Sequence, residues 1–445
     1  MSYKCIYNAV IVTMNLNRDI IENGVLVIKD SEIFDIGDSK LLSKYDYEEK
    51  IDAKNGIVMP GFINGHTHVS MSVFRSLGED IPDRLRRYMF PLEDSIVDAE
   101  LVRVGAKLSI AEMLLGGVTT FADMYYFEDE VAKAAKEMGI RAIAGETIIN
   151  KPSPDSNKPY GSMEYAEKFI EKWKNDELVT PALAPHATYS VDEEHLRKIK
   201  EISQKHKVPI LMHISEMDFE MEEFKEKYNC TPVKFLEDIN FLSSKVIGAH
   251  LVYATEDDME IMLKHDVGVI HNVAANAKAA RPVAPVPNMI ERGIKVGLGT
   301  DGPMSGNHLD IINLLDQYTK IQKIATGARN GRTSLEAVEL GTISCAKAIE
   351  MGNVIGSIEI GKKADVIIID TDCPNMQPIY DYYSAIVYSA YPHNVSMTMV
   401  NGKVVMKDRK LINEDLNKII DETRKLQDKI KEAVAKLNNL KKSRE

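Results

Sequence analysis

The stretch Pro60-Gly61-Phe62-Ile63-Asn64-Gly65-His66-Thr67-His68 decides the fold predicted for this chain of 445 residues. Its apolar first half predicts a β-strand, and alternate side chains of a strand point the same way. His66 and His68 can therefore bind one metal ion together from the end of that strand. The alternative, a chance pair of histidines on a polar turn, is disfavoured by the apolar residues before them.

Further metal-ligand residues follow short apolar runs elsewhere in the chain. The segments are Leu211-Met212-His213-Ile214-Ser215-Glu216, Gly248-Ala249-His250 and Gly299-Thr300-Asp301-Gly302. Three or more imidazoles and one carboxylate, all at strand ends, suit a divalent transition metal. The pattern therefore predicts a metal-dependent enzyme.

The middle of the chain, residues 58–355, alternates strand-like runs with segments of helical period. The strand candidates are Val58–Ile63, Val118–Asp123, Arg141–Glu146, Pro181–Pro185, Pro209–His213, Val246–Ala249, Val267–His271 and Lys295–Gly299. An open doubly wound sheet would not bring ligands from the first, fifth, sixth and eighth strands together. A (β/α)₈ barrel does, because every strand ends on the same face. We therefore predict an α/β fold with a TIM barrel.

The two ends of the chain differ from the middle in their sequence pattern. Residues 1–57 and 356–412 hold short β runs separated by turn residues, including a hairpin with Asn401-Gly402 at its turn. They predict one small β-sandwich domain built from both termini. Residues 413–445 are charged and amphipathic, which predicts a C-terminal helix.

The composition of the chain limits the classes of partner that it is expected to bind. The formal net charge of −12 argues against nucleic acid, and no apolar stretch approaches the roughly 18 residues of a membrane span. The N-terminus does not read as a signal peptide. The four cysteines form no C-x-x-C pair, which predicts free thiols in a reducing compartment. We expect a cytoplasmic homo-oligomer that acts on a small molecule.

Several residues near the predicted ligands can carry chemistry. Glu216, three residues after His213, can pass a proton from a metal-bound water to the substrate. For His250, spacing leaves two roles open, metal ligand or base. Asp301 can bind metal and accept the water's proton, or cap the following helix. His186 ends the fourth strand on the active face, and no lysine ends that strand, which favours a substrate contact and a single metal.

Taken together, these motifs resemble the amidohydrolase superfamily, and within it the methylthioadenosine/S-adenosylhomocysteine deaminase group, related to chlorohydrolases and guanine deaminases. Further matching motifs are Gly117-Val118-Thr119-Thr120, Pro185-His186-Ala187 and Gly361-Lys362-Lys363-Ala364-Asp365. The resemblance implies one zinc ion, with iron as the alternative. It implies the ligands His66, His68, His213 and Asp301.

The same resemblance implies roles for other residues. His250 orients and polarises the nucleophilic water, Glu216 is the proton shuttle, Glu93 holds ribose hydroxyls, and His186 makes a second nucleoside contact. The implied reaction is hydrolytic deamination of an adenine nucleoside (methylthioadenosine, S-adenosylhomocysteine, adenosine or 5′-deoxyadenosine), with release of ammonia. The alternative within the class is a guanine, pterin or triazine substrate. A catalytically dead binding barrel is disfavoured, because every ligand position is filled.

Departures from the group's pattern fall on the substrate side. Arg84 stands near the group's tryptophan, Tyr253 replaces a second histidine, and Ala279-Ala280-Arg281-Pro282 replaces a stretch of small residues. Glu146 sits where the group can carry an arginine for the substrate's carboxylate. A buried anion facing Glu146 would be costly, so Glu146 predicts that adenosine, 5′-deoxyadenosine or methylthioadenosine is turned over better than S-adenosylhomocysteine. The alternative is that Arg84 or Arg281 binds the carboxylate of S-adenosylhomocysteine.

Overall fold

The computed structural model describes residues 3–81 and 84–442, and within them seventeen strands form two sheets. The strands are β1 (Tyr3–Val12), β2 (Ile20–Lys29), β3 (Glu32–Gly37), β4 (Tyr47–Asp52), β5 (Ile57–Pro60), β6 (Phe62–Thr67), β7 (Val118–Tyr125), β8 (Arg141–Ile148), β9 (Val179–Pro185), β10 (Ile210–Ile214), β11 (Val246–His250), β12 (Gly268–His271), β13 (Val296–Leu298), β14 (Val366–Ile369), β15 (Val395–Val400), β16 (Lys403–Lys407) and β17 (Lys410–Leu411).

The helices fall mainly between the barrel strands and after them. They are α1 (Phe90–Ile96), α2 (Ala99–Leu115), α3 (Glu128–Met138), α4 (Ser162–Trp173), α5 (Glu193–His206), α6 (Asp218–Tyr228), α7 (Pro232–Asp238), α8 (Glu256–Lys264), α9 (Val273–Lys278), α10 (Val286–Glu291), α11 (Ile311–Thr326), α12 (Ser334–Leu340), α13 (Ile343–Ala348), α14 (Tyr382–Tyr388) and α15 (Leu416–Lys442). Local sequence sets several of their starts. Asp192 accepts the amide of His195 at the beginning of α5, and Thr255 forms a capping box with Asp258 at α8.

Strands β6 to β13 are parallel and neighbour one another in chain order, which confirms the predicted barrel. The last strand returns to the first through a hydrogen bond from the amide of Asp301 to the carbonyl of His66, 3.0 Å long. The side chain of Asn64 reinforces this seam, since it accepts the amide of Thr300 at 3.0 Å and donates to its hydroxyl at 2.7 Å. The strand ends therefore form a ring with a single face.

The barrel interior is filled by apolar side chains that alternate with outward ones. One buried cluster joins residues of seven barrel strands with α13: Ile63, Ala122, Ile143, Ala182, Leu211, Ile247, Ile270 and Ala346. Helix α13 approaches so closely that a Cβ at Gly268 would lie 1.9 Å from the carbonyl oxygen of Ala348. Glycine at that position therefore permits the contact.

The strands from both termini form one mixed nine-stranded sheet, in the order β17-β16-β15-β14-β5-β1-β2-β3 with β4 on β1. Side chains from β1 to β5, β14 and β15 meet in a single apolar cluster, which gives the predicted small β-domain its core. The predicted hairpin is present, because β15 and β16 pair around Asn401 and Gly402. Strand β4 was not predicted.

One predicted strand is wrong. Residues Val58–Ile63 do not form a single strand, because β5 pairs with β1 and β14 in the terminal sheet and only β6 enters the barrel. Along β5 and β14 the side chains alternate between two cores: Val58 and Val366 face the small domain, whereas Met59 and Ile367 face the barrel's helices. The boundary placed after residue 57 stays a prediction.

The predicted C-terminal helix is α15, which packs against α1 and α2, while residues 443–445 lie outside the described part of the chain. Its charged composition is that of a surface helix. Across the helices between residues 3 and 442, none has both the length and the apolar content that a bilayer crossing requires.

A buried ion pair joins the barrel to the terminal sheet. Arg141, which begins β8, donates from Nε and Nη2 to both oxygens of Asp365 at 2.9 and 3.1 Å. Asp365 also accepts the amide of Asn401 at 2.7 Å. Both side chains are almost fully enclosed, so this bidentate pair has little competition from water.

We expect Arg141→Ala to lower the free energy of unfolding by about 3–5 kcal/mol, because it leaves the Asp365 carboxylate buried without its partner. Thermal and urea unfolding followed by circular dichroism would measure the loss. The control is Arg424→Ala, which removes an exposed pair with Asp421 and should change stability by less than about 1 kcal/mol. Equal stability of the two variants would contradict a role for the buried pair.

Candidate active site

The predicted ligand residues converge at the carboxyl end of the barrel. Oδ1 of Asp301 lies 3.2 Å from Nε2 of His68 and 3.7 Å from Nε2 of His66. Nε2 of His213 lies 3.3 Å from Nε2 of His68. The ligand atoms of His66, His68 and His213 all lie within 4.8 Å of one another, and so do those of His66, His250 and Asp301. Four strand ends thus supply donors to one point.

Hydrogen bonds orient the histidine rings so that their Nε2 atoms can bind a cation. Nδ1 of His68 donates to the carbonyl of Met124 at 2.6 Å, and Nδ1 of His213 donates to the carbonyl of His186 at 2.7 Å. Each bond holds a proton on Nδ1, so Nε2 is the atom that carries the lone pair in the neutral imidazole that binds a metal. Nε2 of His66 is buried and has no hydrogen-bond partner among the described residues. Three imidazoles and a carboxylate in this arrangement fit a divalent metal such as zinc.

The protonation states of the ligand residues also bear on metal binding. Burial lowers the pKa of His66 far below its usual value and that of His213 to about 4, which favours the neutral imidazoles that bind metals. Burial acts against the carboxylate of Asp301, but the hydrogen bond from His68 and the neighbouring histidines hold its pKa well below the usual range. Burial would lower the pKa of His68 as well, but the carboxylate of Asp301 raises it to about 9, so a metal that binds there must displace the proton from Nε2.

Left-handed backbone conformations occur at three strand ends of the site. Ser215, His250 and Asp301 have φ angles of 49°, 74° and 61°, which are unusual for residues other than glycine. Each follows or ends a barrel strand. Such strain persists where surrounding contacts hold it, and it is common at functional sites. Two of the three residues, His250 and Asp301, contribute donor atoms to the cluster.

His250 and Glu216 face each other beside the ligands. Nδ1 of His250 donates to Oδ1 of Asn276 at 2.9 Å, which leaves Nε2 directed toward Oε1 of Glu216 at 3.7 Å. The same Glu216 oxygen lies 2.6 Å from Nη1 of Arg281. Burial would raise the pKa of Glu216, but the charges of His250, Arg281 and His213 bring it below its usual value.

A cavity of about 570 Å³ opens above these residues. Its apolar walls include Phe90, Tyr125, Tyr126, Tyr189 and Phe219, and its polar lining includes Glu93, Thr147 and His186. Glu93 accepts a hydrogen bond from the hydroxyl of Tyr125 at 2.9 Å, and burial raises its pKa to about 7. The ring of His186 is held by the hydroxyl of Ser190 at 2.9 Å. Such a cavity suits a flat heterocycle with a polar substituent.

Cations gather on one side of the cavity. Arg84, Arg86, Lys278 and Arg281 all line it. Glu79 pairs with Arg84, at 2.9 Å, and with Lys278. One carboxylate thus serves two cations, and this side of the cavity is positive.

Comparison with known proteins assigns the chain to a family. A model of the amidohydrolase family matches residues 57–405. The chain belongs to the amidohydrolase family. The resemblance found in the sequence is thereby confirmed at the level of the family, and so is its implication of a TIM barrel with a small additional domain.

Individual relatives are similar over nearly the whole chain. The 5-methylthioadenosine/S-adenosylhomocysteine deaminase of Thermodesulfovibrio yellowstonii is 38% identical over 416 residues, which cover 91% of this chain and 94% of that protein. The 5′-deoxyadenosine deaminase of Methanosarcina acetivorans is 35% identical over 423 residues, covering 94% and 96%. The structure of an adenosine deaminase from Xanthomonas campestris with bound zinc superposes with a TM-score of 0.94, at 26% identity, covering 96% and 98%.

In this amidohydrolase the placement expected for Glu146 is wrong. Glu146 is fully buried, does not line the cavity, and accepts the amide of Glu128 at 3.1 Å. The strand alternates, so its neighbour Thr147 faces the cavity instead. Burial and the nearby Asp155 raise the pKa of Glu146 well above its usual value, which favours the neutral acid. Glu146 therefore gives no reason to exclude an anionic substrate.

Other residues that depart from the group's pattern divide into two sets. Arg84 and Arg281 line the cavity, whereas Tyr253 is not among its lining residues. Sequence reasoning missed Asn276 and the contact between Glu216 and Arg281. The sequence offered only a weak indication of Asn276. This residue lies five positions after His271, which ends β12, and is the fourth residue of α9.

We expect purified protein to hold about one divalent metal per chain and His213→Ala to lose most of it, because a three-donor remnant binds metal more weakly. Elemental analysis after gel filtration measures the content, and a thermal melt before and after chelator treatment reports binding without any activity assay. The matched control is His265→Ala, whose ring pairs with Glu237 outside the cavity. Full metal retention in His213→Ala would contradict the ligand assignment.

Proposed function

We propose that this amidohydrolase removes the exocyclic amine of an adenine nucleoside by hydrolysis and releases ammonia. The observation that carries the proposal is the position of Glu93, a buried carboxylate on the wall of the cavity that the histidine and aspartate cluster also lines. A carboxylate can accept hydrogen bonds from both hydroxyls of a ribose. This favours a nucleoside over the free bases, pterins and triazines considered as alternatives. Similarity to three adenine-nucleoside deaminases supports it.

In this proposal His66, His68, His213 and Asp301 hold one zinc ion. The zinc-bound adenosine deaminase that superposes on this chain supports that choice of metal. When bound, a zinc ion acts as a Lewis acid that makes water nucleophilic near neutral pH. His250 is left outside the ligand set, because its Nε2 faces Oε1 of Glu216 at 3.7 Å.

In the proposed reaction, side chains of the protein transfer the protons. Glu216 begins as a carboxylate, accepts a proton from the nucleophilic water, and delivers it to the ring nitrogen next to the reacting carbon. The water oxygen bonds to the carbon that bears the amine. Asp301 accepts the second proton and passes it to the departing amine, so that ammonia leaves and the ring carbonyl forms. His250 orients the water through Nε2, and His186 contacts the nucleoside.

The positive side of the cavity defines the proposed range of substrates. Arg84, Arg86 and Lys278 can accept an anionic group attached beyond the ribose, since a carboxylate there gains charge-assisted hydrogen bonds. We therefore propose that S-adenosylhomocysteine is accepted as well as methylthioadenosine, adenosine and 5′-deoxyadenosine. This replaces the preference that the sequence predicted from Glu146.

We further propose that the chain works as a homo-oligomer in the cytoplasm, without nucleic acid or membrane partners. Four free cysteines support a reducing compartment. The exposed side chains of Leu16, Ile324 and Tyr380 supply apolar surface for a second copy. The negative net charge supports the absence of nucleic acid. The proposed domains are residues 1–57 with 356–412, the barrel 58–355, and the helix 413–445.

A screen for ammonia release tests the function. We expect turnover of methylthioadenosine and S-adenosylhomocysteine and weak or no turnover of guanine, pterins and triazines. Glu216→Gln should lose about 10²–10⁴ in kcat, the usual worth of a positioned acid–base group, yet keep its metal. The control is Glu222→Gln, an exposed acid on α6. No release from any nucleoside by the wild-type protein would sink the proposal.

Glu93 should impose a pH dependence on KM. Its pKa is raised to about 7 by burial. As the pH falls through 7 the carboxyl gains a proton and can no longer accept both ribose hydroxyls, so KM for nucleosides should rise toward acid. Glu93→Gln should raise KM at every pH and remove that dependence. Initial rates between pH 5.5 and 9 measure the dependence of KM on pH, with the metal content checked at each pH. An unchanged KM in Glu93→Gln would mean that the ribose binds elsewhere.

A further inference from the structure

Arg281 lies on the loop between α9 and α10, at the cavity wall, and reaches back to the loop after β10. Its Nη1 is 2.6 Å from Oε1 of Glu216. The two side chains are only 17% and 10% exposed. A pair so enclosed is screened less by water than a surface pair, so its effect on the carboxylate is larger.

The same guanidinium has other contacts that fix its position. Nη1 lies 3.5 Å from Oδ1 of Asn276, and Nη2 lies 3.3 Å from the sulfur of Met217. Oδ1 of Asn276 also accepts the hydrogen bond from Nδ1 of His250. Through Asn276, the orientation of Arg281 is tied to that of His250, which faces the same oxygen of Glu216.

The main chain of Glu216 is held independently of Arg281. Glu220, fully buried at the start of α6, accepts the amide of Glu216 at 2.9 Å and that of Ser215 at 3.2 Å. Thr188 donates to the same Glu220 carboxyl. Removing Arg281 would therefore free the Glu216 side chain and leave the backbone of the loop in place.

We propose that Arg281 is a positioning residue that keeps the Glu216 carboxylate ionised and aimed at His250, ready to accept the proton of the nucleophilic water. The proposal rests on the deaminase function proposed above. The charged and titratable groups that act on Glu216 from the surrounding elements are His213, His250, Arg281, Asp301, Glu220 and Tyr189. Of these, Arg281 is the permanent cation.

The direction of the effect follows from electrostatics. Burial favours the neutral acid of Glu216, and the charges of His250, Arg281 and His213 outweigh it. Without Arg281 the carboxyl would gain a proton at a higher pH, and a protonated Glu216 cannot accept one from water. An opposite charge at this distance usually lowers a carboxyl pKa by about 1–3 units. The loss of Arg281 should therefore appear on the acid side of the kcat profile.

The test compares wild type with Arg281→Gln, which keeps much of the side chain's length, and Arg281→Lys, which keeps its charge. The control, Arg292→Ala, removes a cation that pairs with Glu256 on the outer surface. kcat for methylthioadenosine is measured between pH 5 and 9.5, because kcat reports groups in the enzyme–substrate complex. We expect the acid limb of Arg281→Gln to move up by about one pH unit or more, that of Arg281→Lys to move less, and that of Arg292→Ala to stay with wild type.

Several outcomes would overturn the proposal. One is a kcat profile of Arg281→Gln whose acid limb coincides with that of wild type. Another is a loss confined to KM for S-adenosylhomocysteine, because that result would make Arg281 a contact for the substrate's tail. In a Glu216→Gln background, Arg281→Gln should change the residual kcat by less than about twofold, since coupled residues are non-additive. A full additive loss would contradict action through Glu216. Thermal melts and metal content establish that each variant is folded and loaded, and an inactive wild type would refute the deaminase function itself.

Discussion

The hydrogen bond from the amide of Asp301 to the carbonyl of His66 joins the last barrel strand to the first, and the geometry of the site depends on this seam. Both bonded residues also present side chains to the proposed metal position. Asn64 and Thr300 brace the joint from the neighbouring positions. A ring closed in this way fixes the distance between donors from strands that are far apart in the chain, and rigid elements place such donors more accurately than loops can.

The ring also determines how charge is distributed around a bound substrate. Histidine imidazoles and the carboxylate of Asp301 occupy the floor, Glu93 lies on one wall, and the cations Arg84 and Lys278 occupy another wall. Aromatic side chains line the same cavity. Because charges interact more strongly in a protein cavity than in bulk water, a ligand with a flat ring, a diol and an acidic tail would gain a favourable interaction with each of these regions.

The sequence was sufficient for features encoded by local pattern. Strand runs followed by His66, His213 or Asp301 predicted both the barrel and the residues that converge in it, because a strand's end and its ligand are adjacent in the chain. Features set by tertiary packing were missed. Glu146 was misplaced because its position was taken from the family's pattern, which does not show to which face of the strand a side chain points. The pairing of Arg281 with Glu216 joins residues that are 65 positions apart, on loops whose conformations no periodicity specifies.

The apolar run that continues through Pro60 and Gly61 misled the strand assignment for a physical reason. Strands β5 and β14 are covered on both faces, one by the small domain and the other by the barrel's helices, so each reads as uniformly apolar. Such strands belong to two cores at once. The terminal sheet is therefore not a module that recombination or protein engineering could excise: cutting it away would expose the apolar side chains of the remaining barrel to water, and the two parts should evolve as a single unit.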